Sequence, residues 1–250
     1  MHIEHHKWWS ENLNRDMELK IYGEDGGVPY LVFPCSRGRF FDYEGFGMTE
    51  RISYFINSKK IQLYTVDGID SESWYNFSVL PGDRNARHEA YDRYIVREVV
   101  PFILKRSPGS QQRIMTTGAS MGAYHAVNFY FKHPDVFKGT IALSGLYRLN
   151  RDEFGLKEYD MPHVYFNSPI SYLKNMGDPH YLDLYRHGEI VICVGQGAWE
   201  EKSIEDTREM DYILKAKRVP AWVDYWGTDV NHDWPWWYVQ MNYFLEHLHP

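Results

Sequence analysis

The chain has 250 residues, 27 basic against 34 acidic side chains for a formal net charge of −7, and two cysteines. Apolar residues make up 44% and charged residues 24%, the balance of a soluble domain that buries a core without disulfide staples. No Lys/Arg run offers a grip to nucleic acid or an anionic membrane, and no apolar run approaches the roughly 18 residues that cross a bilayer.

The N-terminus, Met1–Lys7, has no apolar segment of the signal-peptide kind, which makes the cytoplasm the expected location. Its His2, His5 and His6 read as a solvated segment rather than a metal site. Met17–Tyr22 alternates and predicts a strand, followed by a turn at Gly23–Gly27. Tyr30–Phe33, bounded by Pro29 and Pro34, predicts a buried strand. Met48–Ile56 predicts a short helix with Thr49 as a cap, and Ile61–Val66 another strand. Arg87–Lys105 carries apolar residues near helical spacing. Arg113–Thr117 predicts a strand and Met121–Phe131 a helix that stops at His133-Pro134. Gly139–Leu143 and Glu189–Val194 predict strands, Ser203–Lys217 a helix, Ala221–Trp226 a strand and Trp234–His247 a final helix. Cys35 and Cys193 fall in apolar stretches and read as buried thiols.

This alternation of strands and helices predicts an α/β fold with a largely parallel sheet covered on both faces. Residues 147–186 break the rhythm with Pro162, Pro169 and Pro179. A connection of that length predicts a cap-like insertion over a cleft, on a single domain spanning residues 1–250.

Gly118-Ala119-Ser120-Met121-Gly122 fits G-x-S-x-G. The motif is short, but it follows a predicted strand and opens a predicted helix, the strand–turn–helix setting of a nucleophile elbow. Ser120 is therefore the candidate nucleophile. A serine hydroxyl needs a base, and in the α/β-hydrolase order the acid and then the histidine follow the serine. His232 lies after the last predicted strand and is the candidate base. His125, one turn beyond Ser120, reads as packing or capping, and Asp229 and Asp233 as loop-shaping or capping residues. Glu205 and Asp206 read as solvated helix positions.

The acid belongs after the strand Glu189–Val194, where Glu200 and Glu201 compete. Glu201 stands beside the start of the helix Ser203–Lys217, where the N-terminal dipole favours a carboxylate without catalysis. Glu200 has no such structural reason, so it is the first choice and Glu201 the second. Gly195 and Gly197 would let this loop turn, and Trp199 would turn inward against the pocket wall. The oxyanion hole needs two backbone N–H groups. Met121 supplies one, and Ser36 or Arg37, after the strand Tyr30–Phe33, the other.

These residues resemble the putative-esterase family of α/β-hydrolases, which includes S-formylglutathione hydrolases, feruloyl esterases and mycolyl transferases. The resemblance is carried by Gly118–Ala123, by Gly195-Gln196-Gly197-Ala198-Trp199-Glu200-Glu201 and by His232-Asp233-Trp234-Pro235-Trp236-Trp237. The last is similar to a feruloyl-esterase H-D-W/F-x-x-W terminus. Ser71–Tyr75 resembles a pocket-lining loop. The resemblance implies a Ser–His–Glu triad. Spacing like that of the formylglutathione enzymes gives Glu200, and mycolyl-transferase-like spacing gives Glu201.

Together these features predict a serine esterase that hydrolyses a small-molecule ester through an acyl-enzyme, with no metal or other cofactor. Trp74, Trp199 and Trp234 would line its pocket, whereas Trp236 and Trp237 read as core packing. An acyltransferase with the same triad and a non-catalytic binding module are the two rival readings.

Overall fold

The computed structural model describes residues 1–107, 114–156 and 162–250. Eight strands form one sheet: β1 (Ile3–Ser10), β2 (Arg15–Tyr22), β3 (Val28–Phe33), β4 (Ile61–Val66), β5 (Ile114–Ala119), β6 (Phe137–Leu143), β7 (Glu189–Val194) and β8 (Trp222–Tyr225). Their spatial order is β1-β2-β4-β3-β5-β6-β7-β8. β1 and β2 run antiparallel at one edge, and the pairs from β4 through β8 are all parallel.

The inner strands are buried on both faces, as parallel strands between helices must be. Alternate side chains feed two cores. Leu31, Phe33, Ile190 and Ile192 point to one, and Tyr30, Val32, Val191 and Cys193 to the other. The first is covered by α4 (Pro81–Tyr94), α5 (Val100–Arg106), α6 (Met121–Lys132) and α10 (Glu201–Ala216). The second lies under three short helices, α1 (Asp42–Gly45), α2 (Met48–Arg51) and α3 (Ser53–Asn57), and the final helix α11 (Trp234–Leu248).

Several elements differ from the sequence reading. β1 pairs with β2 over its whole length, so the N-terminus is an edge strand rather than a loose segment. Its histidines meet carboxylates: His2 and His6 lie on Glu4, and His5 on Glu18 across the pair. Thr49 does not cap a helix; Gly47 precedes α2. The helix expected from Arg87 begins at Pro81. It is continuous through a π-helical turn, Ile95–Val99, placed just before Pro101. Proline lacks an N–H and clashes with the preceding turn, and the widened turn accommodates it. Arg113, the first residue of an expected strand, lies outside the described residues.

The described part of 147–186 contains a 3-10 turn (Asp152–Phe154) and the helices α7 (Pro162–Phe166), α8 (Pro169–Asn175) and α9 (Pro179–Arg186). The prolines of α8 and α9 therefore start helices, where a missing N–H costs nothing. Asp206 on α10 ties this excursion down. It accepts from the Tyr147 N–H at 2.8 Å and the Arg151 guanidinium at 2.5 Å. Asp206 is thus wholly buried rather than solvated, and burial raises its pKa. Glu205 stays exposed and pairs with Arg151.

Candidate active site

The C-terminal ends of the parallel strands meet at one edge of the sheet, the usual place for a site in an open α/β sheet. At the centre, β5 runs straight into α6 through Ser120. Ser120 has φ 55° and ψ −121°, a strained region that costs roughly 1–3 kcal/mol and persists only when its surroundings hold it. The neighbouring glycines make the turn possible. A Cβ on Gly122 would stand 2.4 Å from the carbonyl oxygen of Phe33, and one on Gly118 would stand 2.4 Å from the Gly122 carbonyl carbon.

The loop after β8 brings His232 over this turn. Its Nε2 lies 2.9 Å from Ser120 Oγ, and its Nδ1 lies 3.1 Å from Glu200 Oε2. Glu200 is completely buried, while the His232 side chain keeps 21% of its surface open. Glu201 is exposed on the first turn of α10, and it is Glu200 that meets His232. Asp233 caps α11 through the Trp234 N–H at 2.7 Å. Neither it nor Asp229 bonds His232.

The loops after β7 and β8 are stitched together by backbone groups and the Asn231 side chain. Gly197 N–H donates to Val230 O, Ala198 N–H to Asn231 Oδ1, and His232 N–H back to Ala198 O. Gly197 serves this close approach: a Cβ there would meet Asn231 Oδ1 at 2.3 Å. The tight stitching pushes Trp199 outward at φ 68°, where it is 82% exposed. It does not turn inward as the sequence reading expected.

Two further side chains complete the acid's surroundings. Ser144 Oγ lies 2.5 Å from Glu200 Oε1 and accepts from Trp237 Nε1 at 3.0 Å. The Trp237 ring also meets His232 edge-on at 5.0 Å. Sequence reasoning assigned Trp237 to core packing and gave Ser144 no role. Nothing local marks either residue; only the fold joins them to Glu200.

On the other side of Ser120, the loop after β3 packs against the elbow. Arg37 N–H donates to Asp70 Oδ2 at 3.2 Å, so that donor is already engaged. Asp70 Oδ1 lies 2.8 Å from His125 Nε2, both wholly buried. Tyr75 joins the two sides, with its hydroxyl 3.2 Å from Ser36 Oγ and 3.8 Å from Met121 Sδ. The Arg37 guanidinium lies over its ring at 5.0 Å. Cys35 Sγ lies 3.4 Å from Ala119 O, and burial pushes its thiol up to about 12, which leaves it inert beside the elbow.

Trp74 lies in the core beneath the site, fully buried with Met121, Tyr124, Leu149 and Phe154. It touches no open surface, and Tyr75 next to it does. Trp234 is half-buried and stacks on Phe46 at 4.7 Å. Among the described residues no helix is long and apolar enough to cross a membrane.

Sheet order, elbow and converging loops together define an α/β-hydrolase. The family model described as "Putative esterase" matches residues 10–248, and the chain belongs to that family. A solved ferulic acid esterase superposes with a TM-score of 0.76 at 19% identity, over 99% of this chain and 97% of the other. An S-formylglutathione hydrolase from Agrobacterium tumefaciens gives 0.73 at 16% identity, over 98% and 92%. MPT51 from Mycobacterium tuberculosis gives 0.72 at 13%, over 99% and 98%. At these identities the likeness is one of fold. No curated protein matches the sequence.

Proposed function

We propose that the protein is a serine carboxylic-ester hydrolase that works through an acyl-enzyme on a small-molecule ester. The observation that carries this reading is the unbroken line Ser120 Oγ, His232 Nε2, His232 Nδ1, Glu200 Oε2, with gaps of 2.9 and 3.1 Å. A carboxylate only accepts, so it keeps the imidazole proton on Nδ1 and leaves the Nε2 lone pair facing the serine. Ser120 Oγ attacks the ester carbonyl as Nε2 takes its proton. The imidazolium returns that proton to the departing alcohol. Water then attacks the acyl carbonyl as Nε2 takes its proton, and the imidazolium passes that proton to Ser120 Oγ as the acid leaves.

The developing oxyanion is held by the Met121 N–H, at the start of α6 where no intrahelical acceptor exists, and by the Ser36 N–H. Arg37 is the poorer second donor because its N–H already serves Asp70. Trp234 offers apolar surface to the substrate beside His232, with Tyr75 opposite and Trp74 supporting from behind, while Trp199 stands out in solvent. The described part of the 147–186 excursion acts as a cap-like wall on this single domain, since its Leu149, Phe154 and Leu156 pack against Met121 and Trp74.

Hydrolysis of a p-nitrophenyl ester series, from acetate to long acyl chains, tests the reading. Turnover should appear with at least one acyl length and fall by at least about a thousandfold in Ser120→Ala. Wild-type turnover in Ser120→Ala contradicts it.

A further inference from the structure

Ser144 is a wholly buried serine in a backbone conformation that serine rarely takes. Its φ is 56°, in the left-handed region that disfavours residues with a Cβ. Its main chain is nevertheless held from both sides. The N–H donates to Cys193 O on β7 at 2.8 Å, and the carbonyl accepts from Ser203 Oγ at 3.3 Å. A strained, buried polar residue needs a reason beyond joining β6 to the next segment.

The direction of its hydrogen bonds supplies one. An indole N–H can only donate, so at the 3.0 Å contact Trp237 Nε1 is the donor and Ser144 Oγ the acceptor. The serine proton is then free to point elsewhere, and Glu200 Oε1, an obligate acceptor when ionised, stands 2.5 Å away. Glu200 thereby receives one bond on each oxygen: Ser144 on Oε1 and His232 Nδ1 on Oε2. The carboxylate cannot rotate without losing a bond in a buried setting. The same indole meets the His232 ring at 5.0 Å and 84°, so it steadies both ends of the Glu200–His232 contact.

We propose that Trp237 and Ser144 form a fixed-polarity hydrogen-bond relay that orients the Glu200 carboxylate and, through it, sets the tautomer and angle of His232. Both are positioning residues, because neither touches the reacting atoms. The inference rests on the triad reading above and adds two residues to it.

The test uses Ser144→Ala, Trp237→Phe and the double variant, each checked for folding by thermal melting, with Ser120→Ala as control. Ser144→Ala lowers kcat by about ten- to a hundredfold, the range expected when one hydrogen bond to a buried charge is lost, with KM changed less than about twofold. Trp237→Phe removes the donor while retaining an aromatic ring at the position, and its loss is smaller, about three- to tenfold. Because Trp237 acts through the Ser144 hydroxyl, the double variant is no worse than Ser144→Ala. A second readout is the His232 Nδ1 proton in the NMR spectrum of ¹⁵N-histidine-labelled protein, which shifts or broadens in both single variants. In Ser144→Ala a packing role alone would leave that resonance in place; in Trp237→Phe the altered ring beside His232 also moves it, so there kcat is the deciding readout.

Wild-type kcat and an unmoved resonance in Ser144→Ala overturn the relay, as do losses that simply multiply in the double variant. If Ser144→Ala does not fold, Trp237→Phe decides alone, and unchanged kcat there overturns it. If Ser120→Ala keeps wild-type turnover, it is the triad reading that fails. If Ser120→Ala is inactive while Ser144→Ala is fully active, only the relay fails.

Discussion

His232–Glu200 and His125–Asp70 are chemically the same pair in two settings. The first spans 3.1 Å between the loops after β7 and β8, with the imidazole partly open. The second spans 2.8 Å beneath the elbow, and both members are sealed from solvent. A histidine bonded to a carboxylate is therefore no mark of catalysis by itself. What differs is the second ring nitrogen. His232 Nε2 faces Ser120 at 2.9 Å, whereas His125 Nδ1 finds no hydrogen-bond partner among the described residues. Asp70 spends its other oxygen on the Arg37 N–H and so anchors the loop after β3. On the proposed mechanism the first pair moves a proton, while the second holds the loop after β3 through the Arg37 N–H.

This contrast is sharpest when the two carboxylates are changed. Glu200→Gln should lower kcat by about 10³–10⁴, because an amide can present its NH₂ to the imidazole and favour the wrong tautomer. Steady-state kinetics on the best p-nitrophenyl ester checks it, and a loss below tenfold would dissolve the distinction between the pairs. Asp70→Ala should act on folding instead. It leaves His125 and the Arg37 N–H without their partner in a buried place, at a cost of about 3 kcal/mol of stability. Urea denaturation reads this directly, and an unchanged midpoint would show that the pair does not hold the loop.

A third expectation concerns the sealed region around His125. His88 stacks on His125 at 5.6 Å and lies tilted against Trp74 at 4.7 Å. Burial first, and then the neighbouring His125, hold its pKa well below the usual histidine range. In the unfolded chain it takes up a proton as pH falls below about 6.5, while the folded protein does not. Stability attributable to His88 is therefore present above that pH. It declines at up to about 1.4 kcal/mol per pH unit as pH falls toward the depressed folded value. His88→Phe should lack this share of the slope in urea melts between pH 7 and 5.5. Equal slopes in the two proteins would place His88 outside the sealed cluster.

The smallest effect is expected at the neighbour of the acid. Glu201 lies exposed on the first turn of α10, so Glu201→Gln should change kcat by less than about tenfold, or 1.4 kcal/mol of barrier. A larger loss would move the acid's role one residue along.

The parallel strands were legible because their near-continuous apolar runs end at turn residues, and Ile61–Val66 and Glu189–Val194 have the bounds their sequence suggests. The strand–turn–helix around Ser120 was legible for the same reason, as were the two loops that carry Glu200 and His232. β1 was not. Its sequence, Ile3-Glu4-His5-His6-Lys7-Trp8-Trp9-Ser10, has no apolar alternation, since the edge strand exposes Ile3 and Trp9 and covers its other face with Arg106 and Phe102. Ser144, Trp237 and the Asp70–His125 pair were hidden for another reason. Each acts on a residue 55 to 93 positions away, a distance at which no local pattern reports contact. The orientation of Trp199 was misjudged because a large apolar ring suggests burial, while the hydrogen bonds that bind its loop to the next one turn it to solvent.

The central claim is that Ser120 is the nucleophile, and a fluorophosphonate probe tests it most directly. Such a probe reacts with a serine activated by a neighbouring base. Intact-mass and peptide mass spectrometry should find one adduct per chain, on the peptide carrying Ser120, absent in Ser120→Ala and slowed in Glu200→Gln. An adduct on a different serine, or none with the native protein, would contradict the account.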